Sequence, residues 1–323
     1  MSDMLLYLGI FSAALFGTLA IRYYAHQKDL LDHPNDRSSH VTPTPKGGGL
    51  AIMITFYGAL TYLYLTTQID EQLFFALLSA LPVIVISLVD DIHPLPAKLR
   101  FGVQLLSASF ALYFLGGVNS MNFALFTLHG TWLNLIALLG IVWMTNLYNF
   151  LDGIDGYAAA QAVFVGLAAY LLFGSDSALL IAAATAGFLV FNWHKASIFM
   201  GDVGSAPLGF IFAVFILYDA GTPHFLGWLM LLSLFWFDAT LTLIRRARRG
   251  EKLSQAHKRH AYQRLNQAGF SHDKVVLLAM GVNLIIFAAL YLLPQGLYLY
   301  LFLVLLVLLY SLIKFIDTKK AFE

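Results

Sequence analysis

Residues 297–316 read LYLYLFLVLLVLLYSLIKFI, and this stretch decides the class of fold. The only charge in it is Lys314, close to its end. At 1.5 Å per residue, a helix of this length reaches across about 30 Å of hydrocarbon, the thickness of a bilayer core. Working outward from it, about eleven such apolar runs recur. They fall at approximately 4–23, 48–67, 73–89, 98–115, 131–148, 157–173, 177–193, 205–219, 224–244, 274–293 and 297–316.

The composition agrees. The 323 residues are 59% hydrophobic and only 11% charged, with a mean hydropathy of +0.75, whereas soluble domains carry about 25% charged residues. A net charge of +1 gives no whole-protein attraction to nucleic acid, and none is expected as a partner. Without cysteine there is no disulfide, thiolate nucleophile or Cys-ligated zinc. The first run is preceded by Asp3 and followed by Lys28, the reverse of a secretory signal, so it reads as a retained helix.

Lys and Arg set the orientation, because they are kept on the cytoplasmic side of short loops. With eleven spans, all nineteen Lys and Arg fall on one side. The expectation is an all-α integral membrane protein of about eleven transmembrane helices, N-terminus outside and C-terminus cytoplasmic. It is one polytopic domain over 1–323, with cytoplasmic loops near 24–47, 90–97, 149–156, 194–204 and 245–273. On the outer side, the weak alternation around Met121, Phe123, Leu125 and Leu128 predicts a small hairpin on the membrane surface.

Five segments on the basic side are unusually polar. The first, DHPNDRSSH at 32–40, continues through Lys46 to Gly47, Gly48 and Gly49. Glycines before a helix let amides approach a phosphate, and Lys46 adds charge, although a plain linker has the same composition. The second is Asp90-Asp91, whose mutual repulsion a cation or a shared proton would relieve. The third, NLYNFLDGIDG at 146–156, places Asn149, Asp152 and Asp155 three apart and on one face if helical; an Asx-turn connector is the alternative. The fourth is Asn192 followed by FMGDVGS at 199–205, where Asp202 suits a helix cap or a metal–phosphate site equally. The fifth, 245–264, holds eight basic residues and one acid, with His257 and His260 embedded. Attraction to anionic lipid explains the basic charge, and solvated surface histidines would be the ordinary reading of the other two.

Carboxylates and amides suit Mg²⁺, while glycines and basic residues suit phosphates. Gathered at one membrane face, they describe phosphoryl transfer by positioning and charge neutralisation.

These segments, in order and over nearly the whole chain, resemble the polyprenyl-phosphate N-acetylhexosamine-1-phosphate transferases of glycosyltransferase family 4, the superfamily that includes the phospho-MurNAc-pentapeptide translocase. The resemblance implies transfer of a sugar-1-phosphate from a UDP-amino-sugar to undecaprenyl phosphate, with release of UMP. It implies Mg²⁺, with Mn²⁺ as a substitute, and the inner membrane of a bacterium with the site facing the cytoplasm; a homo-oligomer is compatible with it. Asp202 is then the leading metal ligand with Asn192 beside it. Asp90 and Asp91 serve the lipid phosphate, one as general base, and His260 belongs to the catalytic set. Asn149, Asp152 and Asp155 lie near the nucleotide, with Phe199 stacking on uracil. His40, Lys46, Arg259 and Arg264 approach phosphates.

The last loop departs from the family pattern. It reads His257-Lys-Arg-His260-Ala-Tyr262-Gln263, and only His260 matches the histidine-rich cluster of relatives that use UDP-GlcNAc or the muramyl peptide. The form is more similar to enzymes that start O-antigen chains, which implies GlcNAc or a 6-deoxy sugar of the QuiNAc or FucNAc type and disfavours the muramyl peptide. Two other classes compete. A transporter would place its acids near the bilayer midplane, but here only Asp238 lies well inside a run. A phosphatidyltransferase would follow its aspartates with an Arg that is missing after Gly156.

Overall fold

The computed structural model describes residues 3–34, 42–253, 255 and 257–322. In chain order the helices are α1 (Asp3–Gln27), α2 (Gly49–Leu65), α3 (Glu71–Leu78), α4 (Leu81–Ile92), α5 (Ala97–Phe114), α6 (Leu133–Phe150), α7 (Tyr157–Phe173), α8 (Asp176–Asn192), α9 (Asp202–Tyr218), α10 (His224–Leu231), α11 (Ser233–Arg248), α12 (Ala261–Gln267), α13 (His272–Leu292) and α14 (Tyr298–Lys319). Two short antiparallel pairs complete the described chain. β1 (Leu31–Asp32) lies against β2 (Thr44–Pro45), and β3 (Ser120–Asn122) against β4 (Thr127–His129), the latter being the hairpin expected around Met121 to Leu128.

The protein is an all-α membrane protein. Each of the eleven apolar runs is a helix or a pair of consecutive helices. Among the described residues, five helical stretches are long and apolar enough to cross a bilayer, one of them α3 with α4, and α10 with α11, bent by 67°, makes a sixth if the pair is counted as one span. Of the remaining runs, α2, α7, α8 and α9 are apolar helices of 17 residues each, about 25 Å at 1.5 Å per residue. The last, α5, carries Lys98 and Arg100 in its first turn.

α9 is the central post, buried continuously from Val203 to Ile216. It packs against α4 and α6, while α8 lies between α7 and α1. At the periphery, α14 buries Leu305 and Leu309 but exposes Leu303, Val304, Val307 and Leu308, the one-sided pattern of a helix whose outer face meets lipid.

The break between α10 and α11 frees backbone carbonyls in an apolar interior, where an unpaired polar group is costly. Side chains occupy two of them. Gln161 donates to Leu231 O at 3.0 Å, and the Trp236 indole to Leu229 O at 2.7 Å. Asn283 in turn donates to Gln161 Oε1 at 2.6 Å, so α7 and α13 together hold the bend.

Candidate active site

The polar segments meet at one end of the bundle, around the start of α9. Asp202 is its first residue, and the helix's leading amides are capped from a distant element. Asp91, near the end of α4, accepts from Asp202 N at 3.2 Å and Val203 N at 3.0 Å. Beside it, Asp90 accepts from Leu95 N at 2.6 Å and from Arg100 at 2.5 Å. The same Arg100 nitrogen lies 3.2 Å from Asp202 Oδ2, so one guanidinium joins the two carboxylates. Lys46 Nζ is 4.0 Å from Asp91, and the Asn149 side chain hydrogen-bonds Asp202.

Asp152 completes the group. The third segment is not one helical face as expected: α6 stops at Phe150, and Gly156 takes φ +73°, which ends helical geometry. Asp152 and Asp155 therefore sit in a turn. Burial first, then the nearby charges of Asp202, Asp91 and Asp155, push the Asp152 carboxyl up to about 8. When all four are ionised, Asp90, Asp91, Asp152 and Asp202 outnumber the two cations, Arg100 and Lys46, by two charges; the proton that Asp152 holds at neutral pH leaves an excess of one until a cation displaces it. Oxygen donors with that charge deficit fit a divalent hard cation such as Mg²⁺.

The sequence motifs alone give Arg100 no role. Its signal is a cation in the first turn of a helix, where the dipole disfavours positive charge unless an acid is near.

From this group a groove of about 670 Å³ runs along the apolar flank of the bundle, its walls including the exposed Leu139 and Trp143. Arg100, Asn146, Asn149 and Asp202 line its polar head, and Leu139, Gly140 and Trp143 its apolar length. Within the head, Asn146 donates to Gln104, another lining residue, at 2.7 Å. A second cavity of about 370 Å³ reaches Met121 and Phe123 near the outer hairpin, and Gly140 and Trp143 line both.

Behind the carboxylates, Asp155 is 8% exposed. Its Oδ2 lies 3.1 Å from Nδ1 of both His194 and His272 and accepts from Ala196 N at 3.3 Å. The cost of burial is outweighed by these partners, which hold the carboxyl below its usual range. The three potential ligand atoms are within 4.8 Å of one another, but two imidazoles and one carboxylate suit softer metals than Mg²⁺. Neither histidine stood out in the sequence, being single residues outside the acidic motifs.

Asn192 is buried and committed to backbone: it accepts from Gly156 N at 3.1 Å and donates to Ile198 O at 3.0 Å. It splices the 152–156 turn to the 194–201 segment, and ligating a metal would compete with that bond. Phe199 is half-buried, with its N–H on Pro45 O at 2.8 Å. Two of the three glycine amides are engaged by backbone carbonyls. Gly48 N and Gly49 N donate to Phe199 O and Met200 O at 3.0 and 2.8 Å, and a Cβ on Gly49 would strike Gly204. Close approach of α2 to α9 requires them.

Three further expected residues do not line the cleft. His260 is 2% exposed, with its ring 4.7 Å from that of His257, and its Nδ1 has no hydrogen-bond partner. Burial, then Arg246 and Arg264, lower its pKa to about 3, so the imidazole is neutral. Arg264 is equally buried and paired with Asp317, and Arg259 is paired with Glu251. Asp238 neither lines the cleft nor forms a close ion pair; it accepts from Ala261 N at 2.8 and 2.9 Å and so caps α12. His40 lies outside the described residues.

The glycosyl transferase family 4 model matches residues 73–219. The chain is similar to a decaprenyl-phosphate N-acetylglucosaminephosphotransferase of Mycobacterium leprae, 31% identical, covering 86% of this chain and 79% of the relative. It is also similar to a probable undecaprenyl-phosphate N-acetylglucosaminyl 1-phosphate transferase of Bacillus subtilis, 30% identical over 76% and 72%. A phospho-N-acetylmuramoyl-pentapeptide-transferase of Kosmotoga olearia is 31% identical over 55% and 61%.

Proposed function

The chain belongs to glycosyl transferase family 4, and from that premise we propose that it transfers an N-acetylated amino-sugar-1-phosphate from a UDP-sugar to undecaprenyl phosphate, releasing UMP. The observation that carries this reading is Arg100, bridging Asp90 and Asp202 at the head of an apolar cavity. A charged head joined to an oily tail is the shape of a polyprenyl phosphate, and the cavity offers both environments in sequence.

In this reading the prenyl chain lies along Leu139, Gly140 and Trp143, and its phosphate meets Arg100. An oxygen of that phosphate forms a bond to the β-phosphorus of the nucleotide sugar, and the bond to the bridging oxygen breaks, leaving with UMP. Arg100 and Lys46 are the cations that orient the phosphates. Asp202 and Asp152, with the Asn149 oxygen, would hold Mg²⁺, which when bound supplies charge neutralisation for the diphosphate. Asp91 acts by fixing Asp202, and Asp90 by fixing Arg100. Phe199 and Asp155 are assigned to the nucleotide side.

All described basic loop residues join the carboxylate end of the bundle under the eleven-span reading, which supports a cytoplasmic site, N-terminus outside and C-terminus inside, in a bacterial inner membrane. The His257-to-Gln263 loop supports a role in starting a lipid-linked surface glycan such as O-antigen. GlcNAc is the sugar that the names of the relatives favour, with QuiNAc or FucNAc as the 6-deoxy alternatives.

The test is UMP release by purified protein given undecaprenyl phosphate, Mg²⁺ and each UDP-sugar in turn. Release that needs both lipid and Mg²⁺ and is lost in Asp202→Asn supports the reading. No release with any sugar, from protein shown to be folded, overturns it.

A further inference from the structure

The polybasic segment that stands out in the sequence is organised around α14 and the residues after it, rather than around the cleft. Arg245 donates through both terminal nitrogens to the two oxygens of Asp317 at 3.0 Å each. Arg264 pairs with the same carboxylate and donates to Lys320 O at 3.1 Å. Phe322, only 5% exposed, lies among them. The guanidinium carbons of Arg245, Arg249, Arg259 and Arg264 are 3.9, 5.0, 5.8 and 5.5 Å from its ring centroid.

Such crowding of like charge needs compensation. Asp317 takes two guanidinium groups, and Glu251 takes two more, Arg246 at 2.9 Å and Arg259. The negative face of an aromatic ring attracts cations that would otherwise repel one another, and does so more strongly when shielded from water. Phe322 fills that place.

Two chains of contact lead from this cluster to two residues of the cleft lining. Through Arg246, which donates to Lys252 O at 2.9 Å and Leu253 O at 3.5 Å, it holds Leu253, a residue of the cleft lining. Through Arg264 it anchors α12, whose Tyr262 donates to the carbonyl of Phe150 at 3.0 Å, another lining residue. A helix of seven residues has little stability of its own. Its position is set by Asp238 at one end and by Arg264 with Asp317 along its side.

We propose that Asp317 and Phe322 are positioning residues, a clamp that fixes Arg246 and α12 and, through them, the cleft-lining residues Leu253 and Phe150. This deepens the transfer reading and rests on it for its kinetic consequence. Phe322→Ala should lower kcat/KM for the nucleotide sugar about tenfold through misplacement of the cleft walls, with the melting temperature of the detergent-solubilised protein unchanged. Phe322→Trp, which keeps a cation-binding ring, should restore the rate to within about twofold. Amide hydrogen exchange over 257–267 reads the clamp independently of catalysis. It should accelerate about tenfold in Phe322→Ala and in Asp317→Asn, but not in Phe322→Trp.

Unchanged exchange in Phe322→Ala and Asp317→Asn overturns the clamp. A kinetic loss that follows a fallen melting temperature, and that Trp fails to rescue, also overturns it, because the residues then only support the fold. Accelerated exchange in a protein whose wild type releases no UMP supports the clamp while the transfer reading fails.

Discussion

Asp91 caps the helix that begins at Asp202, although 111 residues separate them in sequence: its carboxylate accepts from Asp202 N at 3.2 Å. The pairing ties α4 to α9 and fixes where the Asp202 side chain starts. Losing a cap of this kind costs about 1 kcal/mol. Asp91→Ala is therefore expected to lower the melting temperature by a few degrees and to slow UMP release about 100-fold, through displacement of Asp202. Asp91→Asn keeps an acceptor oxygen and should recover most of the stability. Thermal unfolding measured beside turnover checks both, and an Asp91→Ala protein of wild-type rate would detach Asp91 from the site.

The proton on Asp152 makes cation binding depend on pH. With its pKa near 8, the carboxyl is mostly protonated at neutral pH and must lose that proton to ligate a metal. The apparent affinity for Mn²⁺ should rise about tenfold per pH unit up to about 8 and level off above it. Stability moves the other way in cation-free protein. Because the folded pKa lies above the ordinary carboxyl value of 3.8, the contribution is fully present below 3.8 and lost as pH rises through about 8. Titrations with Mn²⁺ from pH 6 to 9 read the first effect, and a flat affinity would remove Asp152 from the ligand set.

The helices and the acidic motifs were legible in the sequence because hydropathy is a local property and acids at run ends stand out against it. What escaped was long-range. Arg100 gained its meaning only when α5 brought it to Asp90 and Asp202, and His194 and His272 only when they met on Asp155. The reverse holds at Arg264 and Gly49. The family resemblance suggests a phosphate for Arg264, and composition allows a phosphate loop or a plain linker at Gly49, whereas in the fold an internal carboxylate pairs with the first and backbone contact with α9 accounts for the second. Charge content is local; the partner of a charge is set by tertiary contacts.

The polar pair inside the bundle should matter to stability and little to chemistry. Gln161→Leu leaves the Leu231 carbonyl without its side-chain donor and strands Asn283 in an apolar interior. An unsatisfied buried polar group costs about 1–3 kcal/mol, so the melting temperature in detergent should fall clearly. Asn283→Leu should cost less, since Gln161 keeps its bond to Leu231. Equal melting temperatures for Gln161→Leu and the wild type would mean that the bend holds without this bond.

Gly140 is where the inner and outer cavities meet, and it faces open space: a Cβ added there meets no atom within 4 Å. Gly140→Trp therefore adds a ring without an immediate backbone clash and closes the passage between the two cavities. If the prenyl chain follows this route, a long acceptor must lose contacts beyond the plug, while a short one that ends before Gly140 does not. Remote binding energy drives the reacting end into place, so turnover with a C55 prenyl phosphate should fall about tenfold. With farnesyl phosphate it should change less than about twofold. Comparing the two acceptors at equal protein and Mg²⁺ decides the matter. A loss that is the same for both lengths would mean that the plug disturbs the catalytic head itself. No loss for either would place the chain away from this groove.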